Sequence, residues 1–247
     1  MKGAIAGIAP AAQVIDVSHG VQPYEIADGA FTIAQAYRYF PKKTIHVVVV
    51  DPGVGSARRP LLAEMAGQYF VAPDNGVLSL VMDQEERLSV RHITAEHYFL
   101  QPLSNTFHGR DIFSPVAAYL AKGVEPDRFG DEITDYVRFS APRAKPVDER
   151  TLQGVVLKVD RFGNLVTNIT PEDAPQLFGA TPPAFKIAIG TKAQATRMCA
   201  NYAEGAPGEV FGILGSMGFL EVATNRGSAS QMLGAGKGSE VNVVMEG

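Results

Sequence analysis

The stretch TIHVVVVDPGVGSARRP, residues 44–60, decides how the rest of the chain is read. Ile45 to Val50 is a continuous apolar run, largely β-branched and broken only by His46. Such a run suits a strand buried on both faces, as in the centre of a parallel sheet. It stops abruptly at Asp51-Pro52-Gly53. Pro52 has no N–H to give to a sheet ladder, and Gly53 and Gly55 permit backbone angles that other residues avoid. A carboxylate therefore stands where the strand ends, followed by a glycine-bearing loop and two guanidinium groups, Arg58 and Arg59. In open α/β sheets, ligands bind at this end of the strands. Taken alone, Asp51 reads first as the cap of a turn.

Working outward, TFHGRD at 106–111 sets His108, Gly109, Arg110 and Asp111 side by side and runs into an apolar segment, 112–120, that reads as a helix ending at Lys122-Gly123. His108 is expected in the loop before that helix, near its positive end. Upstream, a short helix before Pro10, a buried strand Gln13 to Val17 and a helix from Tyr24 to Phe40, closed by Pro41, are expected. Between the two polar motifs, Leu61–Met65 and Gln68–Ala72 suit a hairpin around Ala66-Gly67. Pro73-Asp74-Asn75-Gly76 has the composition of a tight turn, a helix starts in Val77–Met82, and Ser89–Ile93 suits a strand. From residue 139 to 150 the character changes to prolines and alternating charges with no apolar period, a linker pattern. Beyond it, seven short strands broken by Gly and Pro are expected, the pattern of a small antiparallel barrel. The expected architecture is an α/β N-terminal domain, residues 1–138, with a largely parallel central sheet. An all-β C-terminal domain, residues 151–247, forms the small barrel.

Composition narrows the function classes. The 247 residues are 46% hydrophobic and 19% charged, as in a globular protein. A net charge of −4 gives no reason to expect a nucleic-acid partner. The single Cys199 excludes an internal disulfide and a thiolate metal cluster. No apolar run approaches the ~20 residues of a membrane helix. No membrane partner is expected, and the location expected is cytoplasmic.

DPGVGSARRP, PDNG at 73–76, TFHGRD and DRFGNLVTNI at 160–169, in that order, make the chain resemble one family over nearly its whole length. This is the S-adenosylmethionine hydroxide adenosyltransferase family, the adenosine-forming S-adenosylmethionine hydrolases, related to the fluorinases and chlorinases. The resemblance implies hydrolysis of S-adenosyl-L-methionine to adenosine and L-methionine, with water attacking ribose C5′ in line. It implies no cofactor and no metal. It also implies a homotrimer whose active sites lie between the N-terminal domain of one subunit and the C-terminal domain of the next.

By the same resemblance, the water-activating residues are Asp51, Arg58 and His108. The residue types suit the task. Arginine stays protonated and favours hydroxide-like character, and either Asp51 or His108 could take the proton. Arg59, beside Arg58, is the alternative arginine. Asp160, Phe162 and Asn164 of DRFGN match positions that meet the methionine ammonium, the adenine face and the adenine edge; Ser216 and Glu221 match a second substrate-binding segment. The halogenating relatives carry Tyr where Asp51 stands and Ser at the position of Gly109, so water is the expected nucleophile; they also carry Arg at that of Met217, so the carboxylate contact is expected to differ here. The family pattern also has a strand that precedes Met1 and ends in an Asp of a TDFG-like motif, which binds the ribose hydroxyls. Met1-Lys2-Gly3 corresponds to an internal MKG, so one sheet strand and one substrate ligand are expected outside residues 1–247. The alternatives are a non-catalytic adenosine or S-adenosylmethionine binding protein, a halogenase, and a metal-dependent hydrolase built on Asp51, Asp74, His108 and Asp111.

Overall fold

Ile45–Val47 forms the first strand, β1, of a computed structural model that describes residues 1–179, 181–190 and 193–246. The chain divides into two compact units, Met1–Ser140 and Ala141–Gly247. In the first, β2 (Pro60–Met65), β3 (Gln68–Pro73) and β4 (Leu88–His92) complete a four-stranded sheet of order β1-β3-β2-β4. Ala66 and Gly67 both take positive φ, and this two-residue connection returns the chain antiparallel, as its composition requires. β2 pairs antiparallel with β4 as well, and only β1 and β3 run parallel. The largely parallel central sheet expected from the apolar run does not form. The sheet is mixed, and β1 lies at the end of the strand order, paired with β3 alone.

The period-two alternation of the hairpin sets the layers. Leu61, Ala63, Met65, Phe70 and Ala72 face one core, with Ile33, Ala34 and Tyr37, which lie on or directly after α2 (Ile26–Ala36), and Val81 of α3 (Ser79–Met82). Leu62 and Val71 face the other, with Phe113, Val116 and Leu120 on or just before α4 (Ser114–Ala121). The first helix, α1 (Lys2–Ile8), packs against α4. The strand expected over 13–17 is not formed, and Val14, Ile15 and Val17 are exposed.

The second unit is one curled sheet. Its strands are β5 (Lys145–Pro146), β6 (Thr151–Val159), β7 (Leu165–Thr167), β8 (Phe185–Ile189), β9 (Ala193–Ala195), β10 (Met198–Cys199), β11 (Val210–Leu214), β12 (Leu220–Thr224) and β13 (Glu240–Met245). The order is β10-β11-β12-β7-β6-β13-β8-β9, with β5 on β6. A Cβ on Gly212 of β11 would lie 2.8 Å from Ile187 of β8, although four strands separate them in that order, so the sheet bends round on itself. Val156, Leu165, Ile187, Leu220 and Val241 fill the space inside. A short helix, α5 (Ala229–Leu233), follows β12. Phe139 packs on Gly76 and its N–H bonds Ser79, while Lys145–Pro146 pairs with β6.

The one polar residue of the founding run, His46, is buried. Its ring stacks on Phe70 at 4.7 Å, and Nε2 lies 2.7 Å from Gln68 Oε1. Burial pushes its pKa below 6.5, against the opposing hydrogen bond to Gln68 Oε1. A histidine held neutral in the fold contributes stability that is complete above its unfolded pKa and is lost as pH falls through the folded one. Urea unfolding should therefore give a lower midpoint at about pH 5.5 than at about pH 7.5, and His46→Phe should shrink that loss.

Candidate active site

Three side chains from two separate loops meet at the end of β1. Asp51 stands four residues beyond the strand, after Val48 N–H has extended the pairing to Val71. The turn at 52–55 sends the chain back so that Arg58 reaches it: Nε lies 3.0 Å from both Asp51 oxygens and Nη2 2.5 Å from Oδ2. Both side chains are buried, at 8% and 5% exposure. The same Nη2 lies 2.6 Å from His108 Nδ1. A guanidinium only donates, so Nδ1 accepts, and the proton of the neutral imidazole sits on Nε2. The Phe113 ring lies under the guanidinium, 5.3 Å from its carbon. Arg58 Nη1 is buried and, among the described residues, has no hydrogen-bond partner.

The loop carrying His108 is shaped by a wide helical turn. Gly109–Phe113 is a π-helix leading directly into α4, and Ser114 Oγ donates to Gly109 O at 2.7 Å. Such turns re-aim side chains and recur at functional sites. His108 precedes it and is buried. Asp111 faces inward and accepts from Arg110 Nε at 2.6 Å and from Ser104 N–H at 2.9 Å. Its carboxyl is held low, first by Arg110. His108 is pushed below 6.5 by burial and then by the Arg58 charge, against Asp51 and Asp111.

A cavity of about 450 Å³ opens beside Asp51, lined by Val17, Thr32, Val48, Val50 and Pro52 among others. That volume falls in the range of small-molecule sites. Among the described residues, no three His, Cys, Asp or Glu side chains converge as metal ligands would. Arg58 fills the gap between Asp51 and His108 in which a cation would have to sit.

In the second unit the remaining predicted residues lie on the turn between β6 and β7, on β12 and on the turn before β12. Asp160 Oδ1 accepts from Phe162 N–H at 2.8 Å and Asn164 N–H at 2.9 Å, and Oδ2 accepts from Asn164 Nδ2 at 2.8 Å. This carboxylate ties its own turn, fixes Asn164, and leaves Phe162 projecting at the tip, 79% exposed. Glu221 lies on β12 opposite Val166 of β7. It is 4% exposed, accepts from Tyr202 Oη at 2.9 Å, and fills the space a side chain on Gly215 would need. Burial raises its carboxyl, and the charge of Asp160 adds to this against Tyr202. Tyr202 is pushed up to about 12, first by burial and then by the bond to Glu221. Ser216 is exposed on the turn after Gly215. Arg59, the alternative arginine, is turned away from His108 and paired to Asp74 at 2.7 Å and Asp135 at 2.8 Å. Sequence reasoning missed Tyr202, a lone aromatic in a polar stretch, and Phe113, which looks like any other core residue.

Contact between the two loops of the first unit rests on Gly55. Its φ is +78°, and a Cβ there would stand 2.2 Å from the Asn105 carbonyl oxygen. Gly55→Ala should therefore separate the loops, costing about 1–3 kcal/mol in unfolding free energy and loosening Arg58 from His108. Chemical denaturation and the histidine ring resonances measure the two effects.

Comparison with known proteins identifies the family. Residues 1–130 match the SAM hydroxide adenosyltransferase N-terminal domain and residues 154–242 the C-terminal domain. The chain is 34% identical to an (R)-S-adenosyl-L-methionine hydrolase of Thermus thermophilus over 99% of this chain and 92% of that one. It is 25% identical to a fluorinase of Nocardia brasiliensis over 98% of this chain and 90% of that one. The crystal structure of an uncharacterized conserved protein from Thermotoga maritima superposes with a TM-score of 0.90 at 35% identity, over 98% of this chain and 93% of that one. The chain belongs to the SAM hydroxide adenosyltransferase family.

Proposed function

We propose that this protein hydrolyses S-adenosyl-L-methionine to adenosine and L-methionine. The observation that carries this is the buried Asp51–Arg58–His108 cluster, with one guanidinium nitrogen left to donate. Water oxygen attacks ribose C5′ as the C5′–S bond breaks. The bonding pair goes to sulfur, neutralising the sulfonium to a thioether, and the water gives up a proton. Arg58 Nη1 is the donor that stabilises charge growing on that oxygen. His108 Nδ1 is already committed to Arg58, so the base is Asp51, and His108 holds the guanidinium in place. The balance needs water alone, with no cofactor and no metal.

The hydrolase is favoured over the halogenase by Asp51, whose charge opposes a halide, and by Gly109, which has no hydroxyl. The relatives agree, at 34% identity for the hydrolase against 25% for the fluorinase. In the second unit we assign Asp160 to the methionine ammonium, Phe162 and Asn164 to the adenine, and Ser216 and Glu221 to the same substrate. A homotrimer with shared sites, closure of the curled sheet as a small barrel and a cytoplasmic location belong to the same proposal. Among the described residues, no helix is long and apolar enough to cross a membrane.

Incubation with S-adenosylmethionine, followed by chromatography, should yield adenosine and methionine in equal amounts, unchanged by added chloride. Arg58→Ala should lower kcat roughly 100- to 1,000-fold, the usual loss for a charge-stabilising donor. Protonation of His108 ends its acceptance from Arg58. Because its pKa is lowered, kcat should hold at about pH 6.5 and fall only on further acidification. Binding without product at any pH would leave a binding protein, and a halogenated nucleoside would make it a halogenase.

A further inference from the structure

The loop from Asp51 to Arg58 is held at both ends by two adjacent residues of the PDNG turn. Asn75 Nδ2 donates to the carbonyl of Val50 at 2.8 Å, on the residue just before Asp51. Asp74 Oδ2 accepts from Arg59 Nε at 2.8 Å, on the residue just after Arg58. Asp74 N–H also bonds the Arg59 carbonyl at 2.8 Å. The clamp is itself braced. Asn75 Oδ1 accepts from Val77 N–H at 3.1 Å, and Asp74 Oδ1 accepts from Val137 N–H at 2.7 Å. Arg59 reaches on to Asp135, donating to its carboxylate at 2.8 Å and its carbonyl at 2.9 Å. Asp74 is 5% exposed, so its bonds form away from competing water.

We propose that Asp74 and Asn75 are positioning residues for the reaction: together they fix the two ends of the 51–58 loop and thereby the separation of Asp51, Arg58 and His108. Neither touches the reacting cluster directly. Asn75 sets where the carboxylate leaves the strand, and Asp74, through Arg59, sets where the neighbouring guanidinium begins. This gives the second arginine a separate task, as an anchor turned away from the site while Arg58 faces into it. The inference takes its rate readout from the hydrolase reading, but its geometry stands without it.

Asn75→Asp tests it, because the carboxylate keeps an acceptor for Val77 N–H and loses the donor to Val50. The expected result is a folded protein whose kcat drops ~10- to 100-fold, the scale of a misplacement near 1 Å, with KM changed less than about twofold. In an Asp51→Asn background the same substitution should cost little more, since Asn75 acts through that carboxylate. A second readout needs no turnover. The charged groups acting on His108 are Arg58, Asp51 and Asp111, and only Arg58 pushes its pKa down. If the clamp loosens, the midpoint of the His108 ring titration, followed by nitrogen-15 NMR, should rise. Asp74→Asn, which keeps an acceptor for Val137 N–H and weakens the hold on Arg59, should do the same if Asn75→Asp fails to fold. A folded variant with wild-type kcat and an unmoved His108 titration would overturn the clamp, as would additive losses of Asn75→Asp with Asp51→Asn. Wild-type protein that leaves S-adenosylmethionine intact would remove the hydrolase reading, and the titration alone would then decide the clamp.

Discussion

A guanidinium with 8% of its side chain exposed is the constraint the first unit is arranged around. Arg58 cannot shed its proton, so the surroundings must answer its charge. Asp51 does so with both oxygens, His108 with a ring nitrogen and Phe113 with its face. Removing one partner of a buried pair typically costs about 3–5 kcal/mol, yet replacing a whole pair with packed apolar groups is often neutral or better. Stability is therefore a poor reason to keep such a cluster. The chemistry is a better one, because a preorganised charge in a water-poor site acts far more strongly than the same charge in solvent.

The architecture delivers these groups from two separate elements. Asp51 and Arg58 follow β1, while His108 and Phe113 come from the turn into α4, which packs on the face lined by Leu62 and Val71. The two loops touch where Gly55 meets the carbonyl of Asn105, a spacing that leaves no room for a side chain. The mixed strand order serves the same end. The β2–β3 hairpin brings the PDNG turn back beside the end of β1, where it meets both ends of the loop.

Some of this was legible in the chain. The hairpin could be read because turn chemistry is local, and Ala66-Gly67 admits few geometries. The cluster could be read only through the resemblance of four ordered motifs to one family, since Asp51 taken alone reads as the cap of a turn. Strand order could not be read, because the run Ile45–Val50 states that it is buried and not which neighbours bury it. The apolar segment Val14–Val17 shows the limit of pattern alone: a short apolar stretch fits a buried strand, but a strand needs a hydrogen-bonding partner, and in this structure the segment forms no ladder and is exposed. The π-turn at Gly109–Phe113 left no periodic mark, so the role of Phe113 under Arg58 stayed hidden. In DRFGN, Asp160 is the knot of its own turn as well as a candidate ligand.

The charge balance of the cluster bears on the choice of nucleophile. Asp51 contributes −1, Arg58 contributes +1, and His108 is neutral while it accepts from Arg58, so the sum is zero. A halide brought to this point would trade full hydration for surroundings with no net charge and a carboxylate close by, which costs more than it returns. Water makes a different demand. It needs a donor for its oxygen and an acceptor for its proton at the same place, and it carries no charge that must be stripped of solvent before the reaction. Arg58 Nη1 and the Asp51 carboxylate offer that combination within one ion pair. Replacing the carboxylate with a neutral phenol would leave the arginine charge unanswered and remove the proton acceptor, and the hydroxyl that Gly109 lacks is a second difference, so the surroundings that disfavour a halide come from more than one side chain.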